Sequence, residues 1–374
     1  MFDVLLSLSL SFAITFLSIP VIIRVAEMKK LFDVPDARKV HVTPIPSLGG
    51  LGIFAGFTLA VLLSVPTSAL AEFQYFLAAG FIIFFLGIKD DILVLSPLKK
   101  FIGQLLAAFI IVYKGGVQIK SMHGFLGIYE MPEMFSLVFT YLTIIVIINS
   151  FNLIDGVDGL AGSLAFMTCA LFGLYFLAVD LPNYAILAFS VCGALLAFLI
   201  FNFNPAKIFM GDTGSLLIGL ITSILVIKFI DVADTAANYP IKASPAVGFS
   251  LMIVPLLDTL RVFSTRMLHR RSPFSPDRNH VHHLLLDWGF GHRAITYTLV
   301  GINILFVAAA FLLGNVISCT ALLIGMVVIY YSAFAIAWYR RPKPRIFVTR
   351  KSDDSTEIIT TKPSIFTITK EKLQ

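Results

Sequence analysis

The stretch MFSLVFTYLTIIVIINSFNLIDGVDGLAG, residues 134–162, decides how the chain is read. From Met134 to Ile148 it contains no charged residue, then Asn149, Asn152, Asp155 and Asp158 arrive within a few positions, interleaved with glycines. An apolar run of about 20 residues spans the roughly 30 Å hydrocarbon core of a bilayer as a helix. Non-helical backbone at that depth is tolerated only where it lines a polar cavity. The stretch therefore reads as a membrane helix that ends in a wet pocket.

Working outward, comparable runs recur at about 3–23, 47–66, 69–88, 99–114, 133–150, 159–179, 184–202, 213–231, 246–268, 295–314 and 319–338. The fourth run is short, and the third and ninth carry charges at their ends, so the count is ten or eleven. Only 13% of the 374 residues are charged and 58% are hydrophobic, where a soluble domain carries about a quarter charged residues. The predicted fold is an all-α integral membrane protein, a multi-pass bundle of about 10–11 transmembrane helices. The first run, VLLSLSLSFAITFLSIPVII, lacks a basic leader and is too long for a signal peptide, so it is expected to stay as a helix.

Loop charges set the expected orientation. Lys29, Lys30, Arg38, Lys39, Lys89, Lys99, Lys100, Lys207, Arg266, Arg270, Arg271, Arg278 and Arg293 fall on one side, with the YRRPKPR tail. The other side holds Lys114, Lys120 and Lys242. The positive-inside rule then puts the N-terminus outside and the C-terminus in the cytoplasm. The net charge of +6 follows from this asymmetry, and no nucleic-acid partner is implied. The external segment KGGVQIKSMHGFLGIYEMP suits a small hairpin. Residues 1–339 read as one polytopic domain, and 340–374 as a polar tail, disordered or at most a short strand pair. Cys169, Cys192 and Cys319 fall in or beside apolar runs, without C-x-x-C spacing, and are expected to be buried thiols.

The polar motifs all land on the predicted cytoplasmic side: DARKVHVTPIPSLGG, GIKDDILVLSPLKKFIGQ, NSFNLIDGVDGLAG, NFNPAKIFMGDTGS and SPFSPDRNHVHHLLLDWG. Asp90 and Asp91 are adjacent carboxylates at a low-dielectric boundary, either an interfacial cap or ligands for a hard cation. Asp212 precedes the eighth run, as an N-cap or as a further carboxylate beside a phosphate at a helix N-terminus. Asn152, Asp155 and Asp158 supply donors and acceptors for a nucleobase or ribose edge, or else caps in a Gly-rich turn. His280, His282 and His283 follow a basic loop; zinc lacks an evident fourth ligand there, and donors to a diphosphate or sugar fit better than a lipid-attracted loop alone. Carboxylates for a cation, basic groups for phosphates and a surrounding membrane describe phosphoryl transfer with one lipid partner.

These motifs, in this order from about Asp33 to Gly291, resemble the polyprenyl-phosphate N-acetylhexosamine-1-phosphate transferases, membrane enzymes that start bacterial cell-envelope polysaccharides on a lipid carrier. SPFSPDRNHVHHLLLDWGF resembles the branch that uses UDP-N-acetylglucosamine. The UDP-MurNAc-pentapeptide branch has three consecutive histidines where Val281 intervenes here. The resemblance implies Mg²⁺, with Mn²⁺ as a substitute, UDP-N-acetylglucosamine and undecaprenyl phosphate as partners, a bacterial inner membrane, and a homodimer. It makes Asp90 and Asp91 catalytic, Asp212 and Asp91 metal ligands, and Asn152, Asp155 and Asp158 nucleotide-binding. It assigns His280, His282 and His283, with Lys39, Lys100 and Arg266, to sugar and phosphate. Whether an aspartate or the lipid phosphate attacks first stays open. The alternatives are the same chemistry on another UDP-sugar, a transporter of an anionic solute, and a lipid-binding scaffold.

Overall fold

The computed structural model describes residues 1–31, 45–270, 280–342, 345–350 and 356–361, the last two as backbone. Its helices are α1 (Phe2–Lys29), α2 (Gly49–Ser64), α3 (Leu70–Ile92), α4 (Pro97–Tyr113), α5 (Glu133–Ile154), α6 (Leu160–Ala178) and α7 (Pro182–Asn202). They continue with α8 (Gly211–Ala233), α9 (Ser244–Ser250), α10 (Ile253–Leu268), α11 (Val281–Asp287), α12 (His292–Leu313) and α13 (Cys319–Tyr339). Among the described residues eight helices are long and apolar enough to cross a membrane, and α9 with α10 forms a ninth, broken span. The shorter α2 and α4, of 16 and 17 residues, account for the remaining apolar runs.

The bundle is organised around α8, which packs against α2, α3, α5 and α6. In α8, 83% of the most apolar window is buried within the protein, against 22% in α1 and α13. The outer helices thus leave apolar side chains for lipid, as expected where hydrocarbon is as apolar as leucine. Some polar side chains inside the bundle bond across helices: Ser11 donates to Ser190 O of α7 at 2.5 Å and Thr15 to Gly52 O of α2 at 3.1 Å. The three cysteines are buried and free.

The run at 246–268 is expected as one helix, and here the structure differs. α9 and α10 meet at an angle of 84°. Pro255 lies in the first turn of α10 and has no N–H to return to Leu251 O. That carbonyl is taken instead by Thr168 Oγ1 (2.8 Å) and Asn303 Nδ2 (3.1 Å). Asn303 also bonds Ser250 O, and its Oδ1 accepts from Val254 N at 3.2 Å. One fully buried amide on α12 therefore satisfies both sides of the break.

The hairpin between α4 and α5 is present as β1 (Ser121–Phe125) antiparallel to β2 (Ile128–Glu130), with Phe125 opposite Ile128. Leu126 N donates to Thr320 Oγ1 at 2.7 Å, tying the hairpin to the start of α13. In the tail, β3 (Arg345–Arg350) pairs in register with β4 (Thr356–Thr361), the short strand pair expected as the alternative to disorder there. The β-branched and alternating residues of RIFVTR and TEIITT favour it.

Candidate active site

Asp90 and Asp91 occupy the last turn of α3, where the helix dipole disfavours negative charge. Two features opposite them offset this. The first is the N-terminus of α8. Asp91 Oδ1 accepts from Asp212 N (2.7 Å), and Oδ2 accepts from Thr213 N (3.0 Å) and Thr213 Oγ1 (2.5 Å). α8 is thus capped by a carboxylate from another helix, since Met210 at its own N-cap position offers no side-chain bond. Gly211, with φ of +70°, lets the chain turn here; a Cβ on it would lie 2.7 Å from Asp91 Oδ2.

The second feature is Lys100, in the first turn of α4 behind Pro97 at N1. Its ammonium forms ion pairs with Asp90 Oδ2 and with Asp212 Oδ2, the latter at 2.6 Å. Asp90 Oδ1 accepts from Leu95 N at 2.6 Å and so fixes the α3–α4 turn. Asp212 Oδ1 accepts from Asn152 Nδ2 at 2.9 Å, and the same nitrogen reaches Ser215 Oγ at 3.0 Å. Four helices thereby bring Asp90, Asp91, Lys100, Asn152 and Asp212 to one end of the bundle. Asn149 serves the packing of the bundle instead. Its Nδ2 donates to Gln104 Oε1 at 2.8 Å, joining α5 to α4.

Asp155 and Asp158 lie in the turn between α5 and α6 and behave differently. Asp155 is half-buried, and its carboxyl is pushed up to about 7 by lost solvation and by the Asp212, Asp91 and Asp158 carboxylates. Asp158 is buried. Its Oδ2 accepts from Asn204 Nδ2 (2.8 Å) and Ala206 N (3.2 Å), while Oδ1 pairs with His292 Nδ1 at 3.1 Å. Arg293 then clamps Asn204 O through Nε at 2.8 Å. Asp158 ties three chain segments together beneath the loop.

The histidines separate by environment. His282 is buried against the same loop, and a Cβ on Gly156 would lie 2.5 Å from its Nε2. Burial, reinforced by the charge of His283, holds His282 down to about 3, so it is neutral near pH 7. His280 is buried and its Nδ1 lies 2.8 Å from Asp258 Oδ2. His283 is partly exposed. Arg266 is buried in the last turn of α10, and Lys39, Arg271 and Arg278 lie outside the described residues.

Sequence reasoning missed Asp258, Arg261, Asn204 and His292. Asp258 carried a usable signal, an ionisable residue inside the apolar run LMIVPLLDTLRVF. Asn204 and His292 carried none, because their partner Asp158 is distant in sequence.

A divalent cation is chemically compatible with the acidic end. Among the described residues no group of three or more His, Cys, Asp or Glu side chains is arranged to hold an ion. Mg²⁺, however, takes only one or two carboxylates where phosphates and waters complete its shell. Asp90 and Asp212 already share one positive group, the Lys100 ammonium. Asp91, with both oxygens committed to α8, is less available than expected from the motif.

Residues 73–230, which include every group of the acidic cluster, match the sequence model described as glycosyl transferase family 4. The chain is 35% identical over 342 residues to decaprenyl-phosphate N-acetylglucosaminephosphotransferase of Mycobacterium tuberculosis, covering 82% of each chain. It is 36% identical over 303 residues to the enzyme of that name from Mycolicibacterium smegmatis, covering 72% of each. Against undecaprenyl-phosphate alpha-N-acetylglucosaminyl 1-phosphate transferase of Escherichia coli K12 it is 30% identical over 278 residues, 72% of this chain and 73% of that one. With the helical membrane architecture and the acidic cluster inside the matched segment, the chain belongs to glycosyl transferase family 4.

Proposed function

We propose that this chain transfers N-acetylglucosamine-1-phosphate from UDP-N-acetylglucosamine to undecaprenyl phosphate, releasing UMP. The observation that carries the reading is the meeting of Asp90, Asp212, Lys100 and Asn152 at one end of a membrane bundle. The named activities of the relatives support it. The loop charges support placing this end in the cytoplasm, with the N-terminus outside and the C-terminus inside.

In the proposed reaction an oxygen of the lipid phosphate attacks the sugar-bearing phosphorus of the donor. A new P–O bond forms, the bond from that phosphorus to the bridging oxygen breaks, and UMP leaves with the oxygen. A phosphomonoester near neutral pH already carries about −1.5 to −2 charges. Positioning and charge neutralisation therefore matter more than removal of a proton. Asp212 and Asp90 would hold Mg²⁺, which when bound supplies charge neutralisation on the diphosphate. Lys100, released from the carboxylates, would place its ammonium on a phosphate oxygen. Asp91 would act through α8, holding Asp212 at the helix start. Asn152 would orient Asp212, and the Asp155–Gly156 turn would wall the nucleotide side.

The test uses the purified full chain with labelled UDP-N-acetylglucosamine and undecaprenyl phosphate, with and without EDTA. The expected result is UMP and a lipid-linked sugar, both abolished by chelation and restored by Mg²⁺. Absence of UMP release across a panel of UDP-N-acetylhexosamines would refute the reading. A transporter would instead give uptake into vesicles without product.

A further inference from the structure

The reaction proposed above does not account for a charged group buried near the start of α10. The Asp258 side chain is 1% exposed, yet both oxygens are fully used. Oδ2 meets His280 Nδ1 at 2.8 Å, while Oδ1 accepts from Val281 N at 2.9 Å and from Arg261 Nη2 at 2.8 Å. The Arg261 guanidinium lies 4.1 Å from the ring centre of Phe334 on α13, which fixes its plane. A carboxylate with an arginine on one oxygen and a backbone N–H beside it accepts hydrogen bonds. Its partner on His280 must therefore be an Nδ1–H.

His280 in turn sits at the N-cap of α11, its carbonyl accepting from His283 N at 3.0 Å. Its ring lies parallel to that of His282, centroids 5.6 Å apart and planes within 4°. His282 presses on Gly156 of the turn that carries Asp155. A path of direct contacts thus runs from Asp258 through two imidazoles to the acidic end.

The geometry points to Asp258 as a positioning residue for His280, fixing the ring so that Nδ1 holds a proton and Nε2 is left as an acceptor for a hydroxyl of the sugar. An orienting carboxylate sets both tautomer and ring angle in this way. Among the described residues Nε2 has no hydrogen-bond partner. Arg261 neutralises the carboxylate, so the bonded pair can stay buried. The inference rests on the transfer reaction proposed above for its kinetic consequence, but its structural content does not.

The test has two independent readouts on the full chain in detergent. The first is long-range ¹⁵N–¹H correlation of ring-labelled histidine, with His280 assigned by its loss in His280→Gln. The expected wild-type pattern is the Nδ1-protonated tautomer. A wild-type His280 protonated on Nε2 alone would overturn the inference, with no Asp258 variant required. The second is kinetic. Asp258→Asn should lower kcat by about 100-fold, as expected when a reacting group is misplaced, with KM for the nucleotide donor changed less than about twofold. In the His280→Gln background the same substitution should cost nothing further. Additive losses in the two variants would overturn it as well. Absence of turnover in the wild type would sink the functional reading instead, and the tautomer measurement would still decide the role of Asp258.

Discussion

Replacing Asp91 with alanine should weaken the whole fold as well as the reaction. In the structure its carboxylate takes three hydrogen bonds from the first residues of α8, at 2.7, 3.0 and 2.5 Å. Hydrogen bonds to a charged acceptor contribute about 1.5–3 kcal/mol each, and loss of a single helix cap costs about 1 kcal/mol. The three share one carboxylate and water can enter the vacated space, so the sum is a ceiling and a loss of about 3 kcal/mol is expected. Among the described residues α8 is the most buried candidate span, and α2, α3, α5 and α6 pack against it, so fraying at its start disturbs the centre of the bundle. The assay is thermal unfolding of the purified chain in detergent, with Asp212→Ala as the control. The Asp212 carboxylate reaches the Lys100 and Asn152 side chains of α4 and α5 and caps no helix, so its removal should shift the midpoint far less. If Asp91→Ala unfolds at the wild-type temperature while losing turnover, Asp91 acts on the substrates and the capping argument is wrong.

Asp212→Ala should reduce UMP release by more than about 100-fold, and more completely than Asp90→Asn, because it removes the whole carboxylate with its Lys100 and Asn152 contacts whereas asparagine keeps an oxygen at position 90; near-normal release from Asp212→Ala would remove the cation assignment. Gly156→Ala places a methyl 2.5 Å from His282 Nε2 and should destabilise the chain by about 1–3 kcal/mol and raise KM for the donor; a silent variant would show that this contact is loose. Asp155 has a folded-state value of about 7 against 3.8 for the free side chain. A raised acid favours the folded state only while protonated, so without divalent cation stability should fall as pH rises from about 4 to 7. Asp155→Asn should flatten that slope in pH-dependent unfolding, and an unchanged slope would contradict it.

Much of the architecture was legible because membrane spans are set by run length and composition. Each of the eleven apolar runs meets a helix or the broken pair, and the hairpin falls in the loop expected to hold it. The acidic end was legible for a related reason. Asp90, Asp91 and Asp212 are conspicuous where apolar residues prevail, and such positions are seldom ionisable without a functional reason. Less visible was the division of labour within the motifs. Nothing in KDD shows that Asp91 faces the start of α8 while Asp90 faces Lys100, since that depends on the approach of α3 to α8. The same holds for HVHH, where burial separates His282 from His283. The bend at Pro255 escaped because its compensating partner, Asn303, stands in a run that otherwise reads as plain lipid-facing helix.

That partnership has a consequence for biogenesis. Asn303 is made later than the peptide groups of Ser250, Leu251 and Val254 that it satisfies. Until α12 stands beside them, Ser250 O and Val254 N lack this amide and Leu251 O has Thr168 Oγ1 alone, which leaves polar backbone at the break that hydrocarbon cannot satisfy. The broken span therefore has its full set of partners only once α12 is in place.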